Sequence, residues 1–175
     1  MMSQPEIVNA LRGSTEEVFS TMLGLEVECG EPYTETNAPG PSDGIIGVVG
    51  LAGAWLGTAS ISCNAAMACR MSSAMLGMEI TEVNEDLLDA ISEIANMIVG
   101  SFKTKAELFL GPLGLSIPTV IYGLNFSART AGKEQWVVTP YRCGPDVFEV
   151  KLCLTPNRGL PRMLTHAAQL AGATK

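Results

Sequence analysis

Apolar residues recur along this chain with two different periods, and the periods divide it into elements. Pro5 suits the first turn of a helix. Ile7, Leu11, Val18, Phe19 and Met22 keep helical spacing from there to Gly24. Either Gly13 stands inside that helix, or Ser14 and Glu17 form a capping box that starts a new one. Residues 25–29 read as a short strand. The stretch 30–44 holds Pro32, Pro39 and Pro41 and is predicted to be a loop, long enough to be mobile or to carry a function. Strands are predicted at 45–51 and 55–63. Asn64 can cap a short helix to Leu76, ended by Gly77. Its Met67, Met71 and Met75 form a stripe that reads as core filler. Asn84 can cap a long helix running to about Leu108, with Lys103 and Lys105 near the end where the helix dipole favours cations. Three more strands are predicted at 119–126, 135–140 and 147–154, separated by turns that contain Gly or Pro. Residues 1–155 read as a single domain. Residues 156–175 contain Arg158, Arg162 and Lys175 but no acid, and read as a C-terminal tail.

The long helix has two contrasting faces. At about 100° per residue, Asp89, Glu93 and Asn96 fall within roughly 60° of one another. Leu87, Ile91, Ile94, Ile98 and Phe102 cluster on the opposite side and are predicted to face a core. With the apolar face complete, the helix gains nothing structural from acid, acid and amide. Asp89 and Glu93, like charges four residues apart, even oppose it by a few tenths of a kcal/mol. Spacing alone still favours an ordinary solvated face. Gly100 lies one turn beyond Asn96, where a mid-helix glycine costs about 1 kcal/mol relative to alanine. Close approach by a partner would justify it, and simple tolerance would explain it equally well. Pro118 shapes the start of the following strand.

Composition narrows the possible functions. A chain of 175 residues, 47% hydrophobic and with a mean hydropathy of +0.25, can bury a substantial core and is not a disordered chain. A net charge of −7 and an isoelectric point near 4.7 argue against nucleic acid and anionic membranes as partners. Residues 44–69 carry no charge over a length that could span a bilayer. Five closely spaced glycines there, Gly44 to Gly57, suit buried strands and a tight turn instead. The cysteines Cys29, Cys63, Cys69, Cys143 and Cys153 are odd in number and form no C-x-x-C pair. They read as the reduced thiols of a cytoplasmic protein. With His166 the only histidine, a His-based metal cage or triad within the chain is excluded. No phosphate-cradling loop or nucleophile elbow is present. What remains is an amide flanked by carboxylates, which can orient water beside an anionic phosphoryl group without a carboxylate's repulsion.

Asp89-x3-Glu93-x2-Asn96 followed by Pro118 resembles the signature of the CheC/CheX/FliY chemotaxis phosphatases. The stretch 44–123 is similar to that family throughout, in GIIGVVGLAGAWLGTASIS, AAMACRMSSAMLG, DLLDAISEIANMIVGSF and LSIPTVIYG. The likeness is greatest to its CheX members. It implies an α+β fold of two layers: an antiparallel sheet from two pseudo-repeated helix–strand halves, with two long helices packed on it. The segments MLGLEVE and FLGPLGLSI mark those halves. The first helix has Glu17 but only Ser20 three residues on, so one site per chain is expected. The resemblance further implies a phosphatase acting on the aspartyl phosphate of a CheY-type response regulator. In it Asn96 aligns the attacking water and Glu93 pairs with the regulator's lysine. Asp89, Gly100 and Pro118 would support docking, Mg2+ would be carried by the regulator, and the chain would form a homodimer. The rival readings are a non-catalytic module that binds a regulator or flagellar switch, and an oligomeric domain with no phosphoryl partner.

Overall fold

The computed structural model describes residues 4–36, 42–126 and 135–159. In chain order the elements are α1 (Gln4–Val18, continued by one π turn, Phe19–Leu23), β1 (Glu28–Cys29), β2 (Tyr33–Glu35), β3 (Ser42–Gly53) and β4 (Trp55–Cys63). They continue with α2 (Ala65–Leu76), α3 (Glu85–Leu110), β5 (Leu113–Leu115), β6 (Thr119–Phe126), β7 (Trp136–Cys143) and β8 (Asp146–Pro156). All pairings are antiparallel, and the spine of the sheet runs β7-β8-β4-β3. Each edge is a broken strand: β1 and β2 follow one another along β7, and β5 and β6 along β3.

Alternate positions of each spine strand face the helices. Ile45, Val49 and Leu51 of β3, Ala59, Ile61 and Cys63 of β4, Tyr141 of β7, and Phe148, Val150 and Leu152 of β8 join one core with Leu11, Phe19, Met67 and Met71. The rings of Phe19 and Phe148 stack with centroids 4.6 Å apart, and Tyr141 stacks on Phe148 at 4.9 Å. Gly47 faces α3, where an added Cβ would come within 3.0 Å of the Ala95 Cβ. The long helix therefore rests directly on the β3 backbone, a separation that any side chain at this position would widen.

Several expectations hold. The Asn64 side chain accepts from the Met67 N–H at 2.8 Å, and that of Asn84 from the Leu87 N–H at 2.9 Å. Residues 44–69 are two strands and the start of a helix, and no helix among the described residues is long and apolar enough to cross a membrane. Others need correction. The predicted strand at 25–29 pairs only at Glu28 and Cys29. The predicted loop at 30–44 contains β2, and β3 begins at Ser42. The short helix expected from Asn64 to Leu76 is present as α2, whereas β5 is an additional short strand. Ser14 caps nothing: it is buried inside a continuous α1 and donates to the Ala10 carbonyl at 2.8 Å. Residues 37–41 of the expected loop and the tail from 160 onward, His166 included, lie outside the described residues.

Candidate functional site

The site is built on α3. Its 26 residues reach about 39 Å, and its amphipathic pattern decides which side is free. Leu87, Ile91, Ile94, Ile98 and Phe102 are all buried, which fixes the helix on the sheet and turns Asp89, Glu93 and Asn96 outward. Asp89 and Glu93 are exposed, and Asn96 and Gly100 are half-buried. Among the described residues, the side chains of Asp89, Glu93 and Asn96 take no hydrogen-bond or ion-pair partner.

Further along the same face the polar groups are occupied. Lys103 pairs with Glu107 at 3.0 Å, and Glu107 also accepts the Leu113 N–H at 2.8 Å, tying the end of α3 to β5. That backbone N–H, with Lys103, holds the Glu107 carboxyl below the usual carboxylate range. Only the stretch from Asp89 to Gly100 remains open to a visitor.

Pro118 enters from the edge of the sheet. The Ser116 N–H bonds the Gly50 carbonyl at 2.9 Å, while the Gly50 N–H donates to the Ser116 hydroxyl at 2.8 Å. The edge then leaves the ladder until β6 resumes with Thr119 opposite Val48. A residue without an N–H suits that break. Gly47 lies opposite Val120 on β6 and beneath Ala95 on α3. Ala95, the residue before Asn96 on α3, thus lies over the sheet row two residues past Pro118. Ile117, beside the proline, is 86% exposed.

The first helix differs. Glu17 receives the Lys105 ammonium at 2.7 Å and the Ser101 hydroxyl at 3.0 Å, and both bonds hold its carboxyl below the usual range. It is an exposed clasp between α1 and α3. Among the described residues no group of three or more His, Cys, Asp or Glu side chains is arranged to hold a metal ion.

Comparison with known proteins agrees with this fold. The model of the family described as chemotaxis phosphatase CheX matches residues 45–142. The chain is 33% identical over 127 residues to the CheY-P phosphatase CheX of Thermotoga maritima, covering 72% of this chain and 81% of that one. Its fold is similar to that of the chemotaxis protein CheX of Desulfovibrio desulfuricans, with a TM-score of 0.76 and 28% identity over 86% of this chain and 99% of that one. It also resembles the protein in the CheX-CheY-BeF3-Mg2+ complex from Borrelia burgdorferi, with a TM-score of 0.74 and 21% identity over 85% of this chain and 97% of that one.

Proposed function

The chain belongs to the CheX family of chemotaxis phosphatases, and from that premise we propose that it hydrolyses the aspartyl phosphate of a CheY-type response regulator and so terminates a chemotactic signal. The observation that carries the reading is the unpartnered Glu93–Asn96 pair on α3 beside the strand break at Pro118. The Asn96 amide both donates and accepts hydrogen bonds, so it can hold a water in line with the phosphorus. The water oxygen bonds to phosphorus, the bond from phosphorus to the aspartate oxygen breaks, and the regulator's carboxylate leaves. The water's protons pass to inorganic phosphate and solvent. Glu93 pairs with the regulator's lysine and sets the docking register, Asp89 adds to that field, and Mg2+ comes with the regulator. The protein acts in the cytoplasm. Residues 1–155 form one domain, a reading supported by a single sheet to which both halves contribute strands.

The test is phosphate release from a phosphorylated, Mg2+-loaded CheY-type regulator with and without the chain. Acceleration at substoichiometric chain supports the reading. Binding without acceleration would make the chain a docking module.

Gly100→Ala separates docking from stability. A Cβ at Gly100 meets nothing within 4 Å, so the free protein should gain about 0.5–1 kcal/mol. The regulator, approaching the helix backbone there, should lose affinity, and KM should rise about fivefold. A raised melting temperature with an unchanged KM would remove Gly100 from the docking surface.

We also propose a homodimer. The edge strand β6 exposes Tyr122 and Leu124, an apolar rim of the kind that pairs with another chain. The protein should elute at twice its chain mass, and Leu124→Lys should shift it to the monomer. A wild type that stays monomeric across concentrations would end this reading.

A further inference from the structure

Among the described residues Ile117 is the most exposed of the large apolar side chains, at 86%. A single exposed isoleucine on a surface is ordinary. This one differs because the backbone beneath it is fixed. The Ser116 hydroxyl accepts the Gly50 N–H at 2.8 Å and donates to the Ile117 carbonyl at 2.8 Å, while the Ser116 N–H bonds the Gly50 carbonyl. Pro118 follows with its fixed φ, and a β-branched side chain is itself stiff at χ1. Serine, isoleucine and proline thus hold an apolar group rigidly in water, in the break between β5 and β6. That exposure contributes nothing to the fold.

Two close approaches place the break relative to α3. A Cβ at Gly47 would stand 3.0 Å from that of Ala95, and a Cβ at Gly111 would stand 3.4 Å from that of Ala54. From Ala95 to Gly111 the helix advances about 24 Å, and from Gly47 to Ala54 the strand advances about 23 Å. The helix therefore runs along β3. Ile117 lies between Ser116, bonded to Gly50, and Thr119, opposite Val48. On the common scale that level matches Val99 and Gly100, one turn past Asn96. The flanks of the helix are assigned as well. Ser101 and Lys105 reach Glu17 on α1, whereas Glu107 accepts the Leu113 N–H of β5. The open stretch from Asp89 to Gly100 has α1 on one flank and the strand break with Ile117 on the other.

We propose that Ile117 is the apolar anchor of the docking surface, entering a hydrophobic recess on the receiver domain that settles on α3. The proposal rests on the reading of Asn96 given above and extends it to the surface of the substrate protein. One partner's share of a standard interface is about 800 Å², roughly 30 Å across. A receiver centred on Asn96 therefore extends over Ile117. The carboxylates of α3 set orientation and register, which is what exposed charges do best at an interface. An apolar group already held in place adds affinity without the ordering cost of a flexible one. It also selects between receivers, because one with a charge at the contact would have to desolvate it against Ile117. A second copy of this chain is the rival occupant.

The test uses the full chain and a CheY-type regulator. Binding is read with the regulator's Mg2+–beryllofluoride form, which is not hydrolysed, and turnover with its phosphorylated, Mg2+-loaded form. Ile117→Ala should raise Kd and KM about tenfold, with kcat and melting temperature unchanged. Ile117→Asp should raise both further, and Ile117→Leu should restore wild-type behaviour. If the wild type binds while Ile117→Ala and Ile117→Asp leave Kd and KM unchanged, the anchor is refuted and the α3 site stands. The same variants converting a dimer to a monomer with KM unchanged would assign Ile117 to a contact between copies and overturn the proposal. Should the wild type bind without accelerating release, the reading of Asn96 fails and the Kd values alone decide the anchor. A wild type that neither binds nor accelerates refutes both.

Discussion

Asn96→Ala should slow phosphate release from the regulator about 100-fold while leaving the protein as stable as wild type. The kinetic expectation comes from what one positioned polar group contributes inside a reacting complex. Losing it costs about 3 kcal/mol of barrier, or roughly two orders of magnitude in rate. The stability expectation comes from the side chain itself, which is half-buried on the outer face of α3 and takes no hydrogen-bond partner among the described residues. The loss should fall on kcat, because the amide holds water and not the partner. Glu93→Ala should act chiefly on KM. Asn96→Asp makes a sharper control, since it keeps the shape but loses the N–H donor and brings a negative charge towards a phosphoryl group. It should be no better than alanine. An Asn96→Ala protein with the wild-type rate would remove the residue from the chemistry.

Phe148→Ala should have the opposite profile. The ring is buried at the centre of a three-ring stack that joins β8 to β7 through Tyr141 and to the π turn of α1 through Phe19. Emptying a large buried aromatic site costs about 3–5 kcal/mol, and two lost stacking partners put this position in the upper part of that range. For a chain of this size the melting temperature should fall by about 10 °C or more. Calorimetry reads the loss directly. Activity per folded molecule should be retained at low temperature, because the stack lies in the core, on the side of α3 away from its outward face. A small shift in melting temperature would mean that the neighbouring side chains close over the gap.

Long-period features were legible in the sequence. The full helical stripe from Leu87 to Phe102 and the caps at Asn64 and Asn84 were strong enough to set α3 and its free face without tertiary information. The short edge strands were not. β2 and β5, three residues each, have no period to detect. They form because β7 and β3 offer them open backbone groups, a tertiary cause that overrides a Pro-rich local sequence. Ser14 left two readings open for a related reason, of which the continuous helix through Gly13 holds: a hydroxyl that can cap a helix can equally bond back to the carbonyl four residues earlier once it is buried. The register between the halves was hidden too. Matching the Leu-Gly ends of the two helices puts Glu17 opposite Thr104 and not opposite Glu93, and burial of Leu11, Thr15, Phe19 and Leu23 opposite Ile98, Phe102, Ala106 and Leu110 supports that match.

The broken edges carry a consequence for how the chain reaches its native state. β1 and β2 come from the first half but lie against β7 of the second, while β5 and β6 come from the second half and lie against β3 of the first. Each half thus lends its rim to the other. A ribosome that has released only the first half has produced a β3 with an open flank and two short strands with nothing to join. Completion waits for the last strands to emerge, so the domain assembles in one late, concerted step dominated by contacts between distant parts of the chain. The same exchange means that a duplication of one half, however faithful, yields a working sheet only when both copies are present to trade edges.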